Sequence, residues 1–276
     1  MPVDFDALFA QWVRGKIDPA AALDKDEIEQ LAAELYETWL WEPRPELGHM
    51  PPAEAFAGQG PEQLMAHMRA YAKAHMRLPD PLADAIATQE GVEALCLEEL
   101  SEGDADTAMP VIGFLEERQS VEAMPLLMEL LLEKRDMGDA VAERACEALM
   151  SFGEKAAKMA LASWEQAESQ RVLDRLCDIA CSAGKLPGAF ERLQGLFWDN
   201  PDNMHFYAQC FARLGDDRAK PLLLRALQMP DIDYFTYTAL RDAVEELGEW
   251  VEIEREFSGD RDYELLREIE QTGEDE

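Results

Sequence analysis

With 276 residues, 47% of them hydrophobic, the chain is long enough to bury a continuous core as one large domain or two smaller ones, which excludes global disorder. Its 58 acidic residues outnumber 25 basic ones for a formal charge of −33, a field that repels phosphate backbones and anionic lipid, so direct nucleic-acid and membrane binding are disfavoured. No apolar run approaches the roughly 18 residues that a membrane span requires.

The opening stretch, MPVDFDALFAQWVRGKID, carries acids where a secretory signal has basic residues, and a cytoplasmic protein is expected. Asp26, Glu27, Ile28, Leu31, Ala32, Leu35, Trp39 and Leu40 then follow helical spacing and predict one amphipathic helix. In the next segment Pro43 and Pro45 favour an extended course, Gly48 permits a turn, and Pro51 or Pro52 can open a short helix holding Ala53 to Phe56. Leu64, Met65, Met68, Tyr71, Ala72 and Met76 mark another helix. His67, Tyr71 and His75 fall at four-residue steps beside those methionines; His and Met can hold a soft metal, but such methionines are what an apolar stripe contains, and no metal is expected there. Residues 1–80 follow no period and read as a helical N-terminal cap.

From residue 81 a period takes over. Leu82, Ile86, Val92, Leu95, Cys96 and Leu100 supply a leading hairpin. Beyond it Gly153, Gly184, Gly215 and Gly248 each follow an apolar stripe, at intervals of 31 to 33 residues, and Ser120 fills the same slot one interval earlier. In the clearest unit Val141, Ala145, Cys146, Ala148, Leu149 and Phe152 line one side of a helix, Gly153 stops it, and Ala156, Met159, Ala160, Ser163 and Trp164 line a second. Leu173, Leu176, Cys177 and Ala180 before Gly184 and Phe190, Leu193, Leu196 and Phe197 after it repeat the plan. So do Tyr207, Cys210, Phe211 and Leu214 before Gly215 and Leu222, Leu223, Ala226 and Leu227 after it. Helices this short cannot hide their stripes alone, and stacking neighbouring pairs buries both sides.

Ala123-Met124-Pro125-Leu126-Leu127 and Ala219-Lys220-Pro221-Leu222-Leu223 both place proline at the start of a second helix, where its missing N–H breaks no bond. With Val141-x-x-Arg144-Ala145-x-x-Ala148-Leu149-x-x-x-Gly153, these segments resemble the HEAT-repeat family of α-solenoids over residues 105 to 258. The resemblance implies an all-α, right-handed α-solenoid of about five helical hairpins, residues 81–258, followed by an acidic extension, 259–276. It leaves the activity open, because HEAT proteins include scaffolds, transport receptors, chromophore lyases and DNA glycosylases. Residues 45–55 are similar to a Pro-x-Leu-Gly-Gly-x-Ser/Thr-Pro-x-Glu-Ala segment of small bacterial helical domains, with His49 and Pro51 in place of the second Gly and the Ser/Thr, which suggests a bacterial source.

Cys96, Cys146, Cys177, Cys181 and Cys210 are odd in number and all fall on expected helices, as reduced core thiols would. Cys177 and Cys181 share a helical face and Cys146 occupies the slot of Cys177 one repeat earlier, yet no fourth ligand completes a zinc site, and neither metal nor cofactor is expected. Asp104, Asp106, Asp199 and Asp202 complete no calcium loop and read as loop or cap residues. No nucleophile elbow, phosphate loop or metalloprotease spacing occurs.

The best-supported expectation is a noncatalytic protein-binding module. Trp164, Trp198 and Trp250 belong to second helices or their ends, the layer that lines the inner curve of a HEAT-type stack, and Glu129, Glu133, Glu165, Glu191, Asp199, Glu252 and Glu256 could ring that surface. Residues 242 to 276 hold fifteen acids against three basic residues, which points to a partner with a basic surface. A lyase-like enzyme on a HEAT scaffold and an acidic decoy of a nucleic-acid-binding protein are the alternatives.

Overall fold

The computed structural model describes residues 2–16, 25–134, 138–252 and 255–273, and the side chains of 25–29 and 268–273 lie outside the description. The expected residues Asp26, Glu27 and Ile28 and the last three residues of the acidic extension therefore fall outside it. Among the described residues the chain is all-α, with fifteen helices and a lone bridge between Arg44 and Met50. No helix is long and apolar enough to cross a membrane.

The chain divides into two compact units, one of Met1–Leu126 with Met137–Val141, the other of Leu127–Asp136 with Ala142–Glu276. In the first, α1 (Phe5–Val13) is capped by the Asp4 side chain and packs on α2 (Lys25–Trp41). Phe5, Phe9, Tyr36 and Trp39 gather their rings there, and Trp39 is fully buried. The expected short helix after Pro51 is a single 3-10 turn, Pro52–Glu54. His49 adopts φ +67°, a conformation that glycine takes without strain. α3 (Pro61–Lys73), which the sequence assigns to the cap, packs against α4 (Asp80–Thr88), α5 (Val92–Glu102) and α6 (Ala105–Glu117). Leu64, Met65, Met68, Leu82, Ile86, Val92, Cys96 and Leu100 are all buried at these contacts.

α7 (Ala123–Leu131) joins the units in sequence. The second unit continues with α8 (Asp139–Ser151), α9 (Glu154–Ser163), α10 (Gln170–Ser182), α11 (Ala189–Asp199), α12 (Met204–Leu214), α13 (Lys220–Leu227), α14 (Tyr234–Glu246) and α15 (Arg261–Gly273). The helix pairs α9–α10, α11–α12 and α13–α14 pack together, and the alternate helices α10, α12 and α14 touch in succession. Leu149, Leu176, Leu193, Phe197, Tyr207, Phe211 and Leu223 are fully buried, so the stripes read from sequence face the core.

All four spaced glycines have positive φ, from +61° at Gly153 to +85° at Gly248. After α14, Gly248 bonds back to Glu245 and Glu249 to Val244, closing the helix through a left-handed residue. The expected marker Ser120 does not play this part. Gln119 takes the left-handed conformation, φ +52°, while Ser120 is buried and donates its N–H to Leu115, so the slot lies one residue earlier in that unit.

Between α8 and α10 one charged group is buried. Arg175 reaches Glu143 at 2.9 Å and Glu133 at 3.5 Å, and these carboxylates satisfy a guanidinium only 5% exposed.

Candidate functional site

Of the three tryptophans singled out in sequence, two are claimed within the chain. Arg192 of α11 lies 5.2 Å over the Trp164 ring and donates to the Leu161 carbonyl near the end of α9. Arg225 of α13 repeats the arrangement 5.2 Å over Trp198 at the end of α11. Both indoles are half-buried against the core, Trp164 joining α9 to α11 and Trp198 joining α11 to α13. The acids expected beside them are similarly divided. Glu133 pairs with Arg171 at 2.6 Å and Glu191 with Arg218 at 2.7 Å, while Glu129, Glu165 and Asp199 are exposed and line none of the cavities described below.

Trp250, Glu252 and Glu256, in contrast, come together. The sequence places Trp250 on a second helix or at its end, but after Gly248 the described part of the segment up to Phe257 is non-helical. It crosses α14 and leaves a groove of about 840 Å³, lined by Tyr234, Tyr237 and Arg241 of α14 and by Trp250, Val251, Glu252, Arg255, Glu256 and Phe257. Val251 and Phe257 turn inward and are buried, whereas Trp250 is 77% exposed. The floor is aromatic: Phe257 lies 5.0 Å from Tyr237 and 5.3 Å from Tyr234, and Tyr263 of α15 closes the cluster 5.0 Å from Tyr234.

Two anchors hold this segment. Arg255 donates to the carbonyls of Met229 and Pro230, just past the end of α13, with its guanidinium 5.2 Å over Phe257. Asp260 accepts backbone N–H bonds from Tyr234, Asp262 and Tyr263, tying the start of α14 to the start of α15. Those bonds hold its carboxyl below the usual aspartate value. The basic groups of the groove are thus engaged, Arg241 with Asp242 at 3.0 Å and Arg255 with carbonyls. Among the described residues neither Glu252 nor Glu256 forms an ion pair, and both are exposed. No imidazole, thiol or serine hydroxyl lines the groove. It offers a flat aromatic face, an apolar floor and two unpaired carboxylates, a set that receives a cationic side chain with an aliphatic stem.

A second cavity, of about 860 Å³, lies in the first unit among Pro2, Val3, Phe5, Leu47, Met50, Phe56, His67, Tyr71 and Met76. The expected row of His67, Tyr71 and His75 breaks up around it. α3 ends at Lys73, His75 turns out with φ +51°, and the Tyr71 hydroxyl donates to the Val3 carbonyl at 2.7 Å. Burial and the nearby Asp4 push the Tyr71 phenol up to about 12.

All five cysteines are buried free thiols. The expected neighbours Cys146, Cys177 and Cys181 do not gather. The Cys146 thiol faces the Arg175 carbonyl at 3.7 Å, and Cys210 of α12 takes its place beside Cys177 and Cys181 of α10. The contact of α10 with α12, not the spacing of Cys146 and Cys177 along the chain, decides which third sulfur arrives.

No known family model, curated protein or solved structure matches the chain.

Proposed function

We propose that the chain is a noncatalytic protein-binding module, built as a right-handed HEAT-like α-solenoid of about five hairpins, that takes a partner with a basic surface in the groove beneath Trp250. The observation carrying this reading is the exposure of Trp250 beside two unpaired carboxylates, over an aromatic floor. Exposed indole is costly to leave in water and is favoured as an interface anchor. The stacked architecture is supported by the succession of contacts from α10 to α12 to α14 and by the left-handed glycines at regular intervals. The groove replaces the broad inner surface expected from sequence, since Arg192 and Arg225 already cover Trp164 and Trp198. With no imidazole, thiol or serine hydroxyl among its described lining residues to work with its two exposed carboxylates, the groove favours binding over catalysis.

The test is affinity capture from the native source with the wild-type chain and with Trp250→Ala, followed by titration of each captured protein after purification. A partner of this groove loses about 2 kcal/mol, roughly 30-fold in affinity, with Trp250→Ala. It also weakens with Glu252→Lys and Glu256→Lys. A partner whose affinity is unmoved by all three substitutions would place recognition elsewhere and overturn the proposal.

A further inference from the structure

The ligand atoms of Cys177, Cys181 and Cys210 all lie within 4.8 Å of one another, and the three residues are at most 1% exposed. Helical spacing puts the first two on one face of α10, and the contact of α10 with α12 delivers the third. A hydrophobic core has no need for three sulfur atoms at one point, but a soft cation does: thiolates are the ligands that select such ions.

We propose that Cys177, Cys181 and Cys210 form a buried three-thiolate site for a monovalent soft metal ion of the Cu(I) type. No imidazole or carboxylate joins the group among the described residues, so the donor set stops at three. That number falls short of the tetrahedral shell of structural zinc, and it was the missing fourth ligand that led the sequence to exclude a metal. Three-coordination removes the need for one.

The electrostatics around the cluster suit thiolate ligation. Arg213 of α12 donates to the Cys210 sulfur at 3.2 Å and is held in place by an ion pair with Asp178 of α10. A guanidinium beside the cluster offsets one of the negative charges that ligation creates. The neighbouring Cys177 and Cys210 sulfurs and the Arg213 guanidinium hold the Cys181 thiol well below its ordinary value. The adjoining sulfurs push Cys177 up, and burial pushes Cys210 up. Binding forms Cu–S bonds and releases to solvent the proton of each thiol that becomes a ligand, with no change of oxidation state. Because the site is closed, the ion enters only when α10 and α12 separate, and bound metal favours the packed state.

The experiment uses the reduced full-length chain under anaerobic conditions, loaded with Cu(I) from its acetonitrile complex and then challenged with a bathocuproine chelator. About one copper ion per chain is expected to survive, together with a raised melting temperature and an ultraviolet sulfur-to-copper charge-transfer band. Cys177→Ala, Cys181→Ala and Cys210→Ala each abolish retention, whereas Cys96→Ala and Cys146→Ala leave it intact. Arg213→Gln weakens it by about 10- to 100-fold, as expected for a group that supports a ligand. Should a cysteine variant fail to fold, alkylation of the wild type supplies the answer: copper protects Cys177, Cys181 and Cys210, and leaves labelling of Cys96 and Cys146 unchanged. Loss of all copper to the chelator, equal retention of Zn(II), or uniform labelling of the five cysteines would each overturn the site.

Discussion

Arg192 stacks on Trp164 at 5.2 Å while its guanidinium holds the Leu161 carbonyl, so one side chain caps the end of α9 and covers its tryptophan. The same indole chemistry that would anchor a partner is thereby spent within the chain. Trp164→Ala is expected to lower stability by about 2–4 kcal/mol through lost packing and lost cation–π contact. Trp250→Ala, at a position 77% exposed, should change stability by less than about 0.5 kcal/mol. Chemical denaturation of both variants checks the pair, and a large loss with Trp250→Ala would show that this residue is structural.

Leu149 and Leu223 are fully buried in the stripes of α8 and α13. Placing Asp at either position forces a carboxylate into an apolar contact without a partner, and a loss of roughly 3–5 kcal/mol is expected. Unchanged melting temperatures would mean that these faces are solvated.

Gln119→Gly should stabilise the chain by about 0.5–1 kcal/mol, since Gln119 sits at φ +52° and glycine removes the left-handed penalty at a smaller cost in unfolded-state entropy. Ser120→Gly, made at the position that the period itself marks, should destabilise instead. Urea midpoints of the two variants moving in the same direction would contradict the register seen after α6.

Asp260 gives the groove a pH dependence. Its folded pKa lies below the unfolded value, so its contribution is fully present above the unfolded pKa of about 4 and is lost as pH falls through the folded one. The melting-temperature gap between wild type and Asp260→Asn should therefore be widest above about pH 5 and narrow on acidification. A gap that is constant across this range would show that the three N–H bonds do not depend on its charge.

Association with a basic partner should slow as salt shortens the Debye length from about 10 Å at 0.1 M toward about 3 Å at 1 M, with less effect on dissociation. Deleting residues 259–276 is a poor probe of the acidic extension, because Asp260 and Tyr263 within it hold the groove. Replacing Glu264 and Asp262 by their amides removes charge while keeping the fold, and stopped-flow association rates then report steering alone.

Much of this architecture was legible from residue spacing. The stripes of α8 to α14 and the left-handed glycines between them are local properties, fixed by helical periodicity and by the freedom of a residue without Cβ. The cover over Trp164 was not legible, because Arg192 lies 28 residues away and nothing in spacing marks an arginine for an indole. The thiol cluster was read with the wrong third member for a related reason: slot equivalence places Cys146 with Cys177, but the contact of α10 with α12 brings Cys210 instead. The groove escaped because nothing in residue spacing marks where Arg255 and Phe257 dock: the one bonds to carbonyls past α13 and the other is buried against the tyrosines of α14.

The buried Arg175 limits how freely such a chain can be rearranged. Helical repeats are ordinarily tolerant of duplication and deletion, since each contacts only its neighbours. Here α10 carries a cation that is satisfied by carboxylates from two earlier places in the chain, Glu133 just past α7 and Glu143 of α8. A copy of α10 moved behind any other helix would bring its arginine without them, at a cost of about 3–5 kcal/mol for an unpaired buried charge. α10 is thus addressed to one place in the order of helices, and evolution or engineering can add helices beyond it more readily than between it and α7.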